Sequence, residues 1–91
     1  MRLVDRTWVG WQVQYLTSGA GAEVWRSAAR LLPRGERDSM IPRSEQLVVG
    51  SRMASVAVKR SVAQKGLRTM EARFPEKTFR VERVEYGALA L

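Results

Sequence analysis

Arg26, Arg30, Arg34, Arg37 and Arg43 recur through one stretch of the chain, and Lys59, Arg60, Lys65, Arg68 and Arg73 recur through a second. The chemistry open to them is recognition of anions. A guanidinium is a planar fork of N–H donors that meets phosphate or carboxylate in a bidentate way and keeps its charge at physiological pH. Thirteen of the sixteen cations are arginine, and nine Asp and Glu oppose them, leaving a net charge of +7. That balance predicts an acidic partner: an acidic protein surface, a nucleoprotein complex, or DNA or RNA. Solubility alone is the competing use of the same charge.

Covalent and acid–base chemistry is poorly provided for. The 91 residues contain no histidine and no cysteine, so the commonest general base, the commonest metal ligand and every thiolate site are missing. No metal and no cofactor is expected. Gly19-Ala20-Gly21 lacks the third glycine of a phosphate-cradling loop. The carboxylates are scattered: Asp5, Glu36 and Asp38 fall in end or loop segments. Glu82 and Glu85 alternate with Arg80 and Arg83, a spacing suited to surface pairing. Ser61 as a nucleophile would need a base, for which only lysine or a carboxylate is available, and it reads better as a helix cap. Binding is therefore expected in place of catalysis. A ribonuclease-type toxin working without histidine is the enzymatic alternative.

The elements that must position these groups form a single domain, 1–91, of the α+β class. Trp8 to Leu16 alternates Val9, Trp11, Val13 and Tyr15 with Gly10, Gln12 and Gln14, the period of a strand with one face on a core and the other in water. Turn residues follow at Thr17–Gly21. Glu23 to Leu32 fits either a strand pairing back on the first or a helix with Val24, Ala28, Leu31 and Leu32 on one stripe; the short turn favours the hairpin. Pro33 to Ser44 reads as a loop, pinned to the body by Met40 and Ile41. Glu45 to Val49 is a short strand. Beyond it, either one helix runs from Arg52 to Phe74 with Ser51 as cap, or a turn at Gly50-Ser51 and a strand at Ser55–Lys59 precede a helix capped by the box Ser61-Val62-Ala63-Gln64. In both cases Ala63, Leu67, Met70 and Phe74 form a buried stripe, Gly66 weakens the helix, and Pro75 ends it.

Lys77 to Tyr86 is the closing strand. Phe79 and Val81 point one way and Val84 and Tyr86 the other, which predicts a bulge near Glu82-Arg83 or a strand covered on both faces. Gly87 to Leu91 is an apolar tail. The order is a small antiparallel or mixed sheet, strand-strand-strand-helix-strand, with one main helix packed on one face.

This arrangement offers three candidate surfaces. Lys65, Arg68 and Arg73 lie on the exposed arc of the helix, led in by Lys59 and Arg60, with Glu71 the only acid, so the helix can lie along a phosphate backbone or be a solvated face. The Arg26–Arg43 segment can order on a polyanion or merely solubilise. Trp8 falls on the face opposite Trp11, so one of Trp8, Trp11 and Trp25 is expected to be exposed; Trp8 and Trp25 are the candidate aromatic contacts, for stacking or for anchoring an interface. Open sheet edges also invite homodimerisation. No stretch is apolar enough for a signal peptide or a membrane span, which predicts no membrane association and a cytoplasmic site of action.

The opening strand WVGWQVQY, the helix SVAQKGLRTMEARFP and the closing strand KTFRVERVEY together resemble small phage and mobile-element proteins of the anti-CRISPR inhibitor type. The resemblance is architectural and covers under half the chain. It implies a non-catalytic inhibitor that blocks a nucleic-acid-handling complex. Its charge sets this chain apart from the acidic members that mimic nucleic acid.

Overall fold

A computed structural model describes residues 2–19, 21–49 and 52–90, with side chains at 8–18, 21–49 and 55–86. Five strands form one antiparallel sheet: β1 (Arg2–Gly19), β2 (Ala22–Ser27), β3 (Gln46–Val49), β4 (Arg52–Ala57) and β5 (Phe79–Ala90). Among the described residues one α-helix, α1 (Arg60–Arg73), packs on it against β1 and β5. The α+β class and the helix-on-sheet arrangement are those the sequence patterning predicts. Four strands, not three, precede the helix, because the stretch open to either a helix or a turn and strand contains β4; the turn expected at Gly50-Ser51 lies outside the described residues.

β1 is the hub. β5 runs along it in register from Tyr15↔Phe79 to Thr7↔Gly87, and β2 pairs with its far end from Gln14↔Ser27 to Gly19↔Ala22. Gln14 and Tyr15 take part in both pairings, so β2 and β5 flank β1 on opposite edges. The β1–β2 hairpin closes with Gly21 at φ 78°, a left-handed position that glycine adopts without a Cβ penalty. The ambiguous 23–32 stretch is strand as far as Ser27. The Ser27 hydroxyl then accepts from the Ala29 amide at 3.3 Å and starts a 3-10 turn, Ala28–Leu31.

Strict alternation along β1 puts Trp11, Val13 and Tyr15 on the helix side, where Val13 is fully buried among Ala28, Leu32, Met40, Ile41, Ala57, Ala63 and Met70. Each large apolar side chain withdrawn from water there contributes ~1.5–3 kcal/mol. Met40 and Ile41 do pin the intervening segment, which folds as two short 3-10 turns, Arg34–Ser39 and Arg43–Glu45. Gln46, buried at the start of β3, adds a polar clamp: its Nε2 donates to the Ile41 carbonyl at 2.8 Å and to Asp38 Oδ1 at 2.9 Å.

Three local expectations are corrected. The helix starts at Arg60 with Lys59 as its N-cap, so Ser61 occupies the second helical position and caps nothing. The Val58 amide, bonded to the Glu45 carbonyl at 3.1 Å, holds the chain extended to the last possible residue before the helix. No bulge lies at Glu82-Arg83, since the ladder shifts only between Val4 and Thr7, and the expected apolar tail is strand as far as Ala90. Phe79 and Val81 therefore face the core, while Val84 and Tyr86 face away, opposite Gly10 and Trp8.

That second face is not simply open to water, which is the third correction. β4 crosses β1 at Trp11↔Ala57 and lays Val56 and Leu47 over Gly10. A Cβ on Gly10 would come within 3.1 Å of the Ala57 carbonyl oxygen and overlap Val56, so only glycine lets the hairpin close over the sheet. Gly66 plays the same part on the helix: its Cβ position lies 2.7 Å from the Met40 carbonyl oxygen.

Candidate functional site

The net charge is not spread evenly. Between Lys59 and Arg73 the chain has five cations and one carboxylate, a net +4 of its total of +7. The 34–45 segment has Arg34, Arg37 and Arg43 against Glu36, Asp38 and Glu45, and β5 has Arg80 and Arg83 against Glu82 and Glu85, so each of these is neutral.

The helix places its cations by its own period. Ala63, Gly66 and Met70 define the buried side, with Leu67 and Val62 half-buried beside them. Arg60, Lys65 and Arg68 fall on the remaining arc and, with Lys59, are exposed. Arg60 and Arg68 are eight residues apart, about 12 Å along the axis. Arg60 lies over the Trp11 ring, 5.5 Å from its centroid, a cation–π contact that orients the guanidinium while leaving its outer N–H groups to solvent. Among the described residues none of these four cations forms an ion pair; the pairs present are Arg73–Glu36 at 3.1 Å, Arg80–Glu82 at 3.6 Å, and Arg83–Glu85.

A cleft of about 390 Å³ opens between α1 and the 39–45 segment. Lys59, Lys65, Ser61 and Thr69 line its helix side, and Glu45 is its one carboxylate. It exists because Gly66 brings the helix backbone down onto Met40 and leaves a trough beside the contact. The cleft extends the basic face of α1 to a second row of donors. Neither the sequence period nor composition marks it.

The other sequence candidates are distributed as follows. Arg34, Arg37 and Arg43 are exposed, but carboxylates stand between them, and Glu36 is bound to Arg73, which takes Arg73 out of the uncompensated set. Arg26 on β2 and Arg30 on the turn after it are exposed, outside the helix face. Where one exposed tryptophan was expected, all three are half-buried. Trp8 and Trp25 share the face away from α1, Trp8 opposite Tyr86 and Trp25 opposite Leu16. Trp25 is covered by the Arg80 guanidinium at 4.2 Å from its centroid. Arg80 Nε also donates to Gln14 Oε1 at 2.8 Å, and Gln14 Nε2 to Gln12 Oε1 at 2.8 Å. The Gln12–Gln14 contact is local, but Arg80 lies 66 residues from Gln14 in the chain, so no local signal in the sequence announces that bond.

Among the described residues no group of three or more His, Cys, Asp or Glu is placed to hold a metal, and no helix is long and apolar enough to cross a membrane. The fold and surface define a class, a five-stranded antiparallel sheet with one basic helix laid across it. Comparison of the chain with family models, with curated proteins and with solved structures returns no match.

Proposed function

We propose that this protein is a non-enzymatic binding protein that attaches through the outer face of α1 to the phosphate backbone of nucleic acid, free or displayed on a nucleoprotein complex. Lys59, Arg60, Lys65 and Arg68 make the contacts, and the neighbouring cleft admits a phosphate or its bound water. The observation that supports this reading most directly is that Lys59, Arg60, Lys65 and Arg68, gathered at one helix, form no ion pair among the described residues, beside segments whose charges cancel. In the setting that the architectural resemblance implies, the partner is a nucleic-acid-handling complex of a cytoplasmic host, and the protein acts on it as an inhibitor or accessory factor.

Four phosphate contacts give a definite signature. The logarithm of the association constant for duplex DNA should fall against the logarithm of salt concentration with a slope of about −3 to −4. A fluorescence-anisotropy titration of a labelled duplex and of a labelled single strand at several salt concentrations measures it. No binding to either at low salt overturns the nucleic-acid reading.

A second reading, an acidic protein face as the partner, is favoured by Val58, which is 51% exposed next to Lys59 and borders a smaller cleft with Glu45. An exposed apolar residue beside a cationic rim suits a protein interface better than a phosphate backbone. Val58→Ser separates the two: it leaves DNA binding unchanged and weakens a protein complex.

A further inference from the structure

β5 leaves a long run of backbone without a partner. It is twelve residues long, roughly twice the usual strand. It pairs with β1 along one edge, and among the described residues no strand pairs with the other. The Leu16 amide donates to the Thr78 carbonyl at 2.9 Å, which sets the phase of the ladder. Alternate residues of an antiparallel strand exchange both bonds with the same neighbour. Arg80, Glu82 and Val84 thus turn their backbone groups to β1, and Phe79, Val81, Arg83 and Glu85 turn theirs outward, where an added strand would find them.

We propose that this edge pairs antiparallel with β5 of a second copy about a two-fold axis at Val84, joining the two sheets into one. An axis normal to the sheet keeps the helix side of both copies on the same side, so each residue pairs with one of its own parity. Like charges directly opposite each other destabilise a sheet. Registers centred on Arg80 or Arg83 oppose guanidinium to guanidinium, and those centred on Glu82 or Glu85 oppose carboxylate to carboxylate. Of the centres that lie within the charged run Arg80–Glu85, the two at valine remain.

A centre at Val81 needs Arg80 to reach Glu82 of the second copy, but Arg80 is turned inward over Trp25 and bonded to Gln14. A centre at Val84 leaves that network intact. It sets Arg83 opposite Glu85 of the second copy, twice over, and sets Glu82 opposite Tyr86, whose phenol can donate to the carboxylate. Arg83 and Glu85 are about half exposed, at 51% and 53% of their side chains, and bond only to each other among the described residues. The pairing exchanges an intrastrand ion pair for two cross-strand ones and satisfies the outward N–H and C=O groups of β5. Both α1 helices then lie on one side of the joined sheet.

The chain has no cysteine, so Val84→Cys places a single thiol at the axis. The two Cα atoms there belong to a non-hydrogen-bonded pair about 4.5 Å apart, within disulfide range. Light scattering after size exclusion should give twice the chain mass of 10.3 kDa for the unaltered protein. Mild oxidation should crosslink most of the Val84→Cys protein and little of a Glu82→Cys control. Glu85→Arg, at an exposed position, should weaken the dimer at least about tenfold with an unchanged circular dichroism spectrum, and adding Arg83→Glu should restore it. A monomeric mass at high micromolar concentration, equal crosslinking of the two cysteine variants, or a Glu85→Arg dimer as tight as the original overturns the proposal.

Discussion

The outer face of α1 and the 34–45 segment look alike in the sequence, since each is rich in arginine and each reads as exposed. Their electrostatic characters differ: the acids of the 34–45 segment balance its arginines, those of α1 do not, and the structure adds an ion pair between the two. In the 34–45 segment Glu36, Asp38 and Glu45 stand among three arginines, and the segment reaches out through Glu36 to bind Arg73 of the helix itself. On α1 the first three turns bear Arg60, Lys65 and Arg68 with no acid between them, and the single carboxylate, Glu71, comes after. Number of cations is therefore a poor guide to an anion-binding surface. What decides is how many are left without an internal counter-ion and whether a rigid element holds them in one orientation. A helix clamped by Met70 and Ala63, with Arg60 resting on Trp11, meets both conditions.

Reversing the charges is the strongest way to break this contrast. Lys59→Glu, Arg60→Glu, Lys65→Glu and Arg68→Glu together should cost at least about 100-fold in affinity for a duplex at low salt, because every phosphate contact becomes a repulsion. The matched triple reversal of Arg34, Arg37 and Arg43 should cost less than about fivefold in the same anisotropy assay. Equal losses would erase the distinction between the two regions.

The joint between them gives the next largest effect. Gly66→Ala improves helix propensity by ~1 kcal/mol, yet its methyl carbon would sit 2.7 Å from the Met40 carbonyl oxygen, a backbone atom that cannot swing aside. Overpacking of this kind costs ~1–3 kcal/mol, so the variant should unfold at a lower urea midpoint than the parent. A higher midpoint would show that helix and segment are not in contact as described. Gln46→Leu removes the donor shared by Asp38 and the Ile41 carbonyl. Leaving that buried carbonyl unmatched should lower stability by about 1–3 kcal/mol in the same denaturation.

The smallest effect sharpens the contrast. Glu36→Gln removes the Arg73–Glu36 ion pair, whose side chains are 41% and 47% exposed. Stability should change by less than ~1 kcal/mol, as is usual for exposed pairs. Freed from its counter-ion, Arg73 joins the helix face, and the salt slope for duplex binding should steepen by up to about one. An unchanged slope would mean that Arg73 lies outside the contact surface.

The sequence by itself determined a good deal. Period-two alternation from Val9 to Tyr15 and from Phe79 to Val81 fixed which side chains face the helix, because successive strand residues must point to opposite faces. The stripe Ala63, Met70 and the half-buried Leu67 and Phe74 fixed the buried side of α1, and so its cationic side as well. Composition fixed the sign of the chain's own charge and removed thiol and imidazole chemistry. Local signals did less well where two of them competed. The capping box at Ser61 was outweighed by an amide–carbonyl bond between Val58 and Glu45, a contact thirteen residues away that no local window contains.

Tertiary structure alone decided the rest, and each instance has the same cause: a contact between residues distant in sequence. Gly66 reads as a weak point in a helix and Gly10 as one residue of a strand's outer face, whereas the Met40 carbonyl and Val56 crossing them make glycine a requirement. The Arg80 guanidinium, one more surface cation in the sequence, is held over Trp25 and bonded through Nε to Gln14, which fixes its direction while its side chain stays 41% exposed. Which arginines remain to bind an anion depends on where the carboxylates and aromatic rings come to rest around them. That is set by the packing of β4 over β1 and of α1 over Met40, not by the order of residues along the chain.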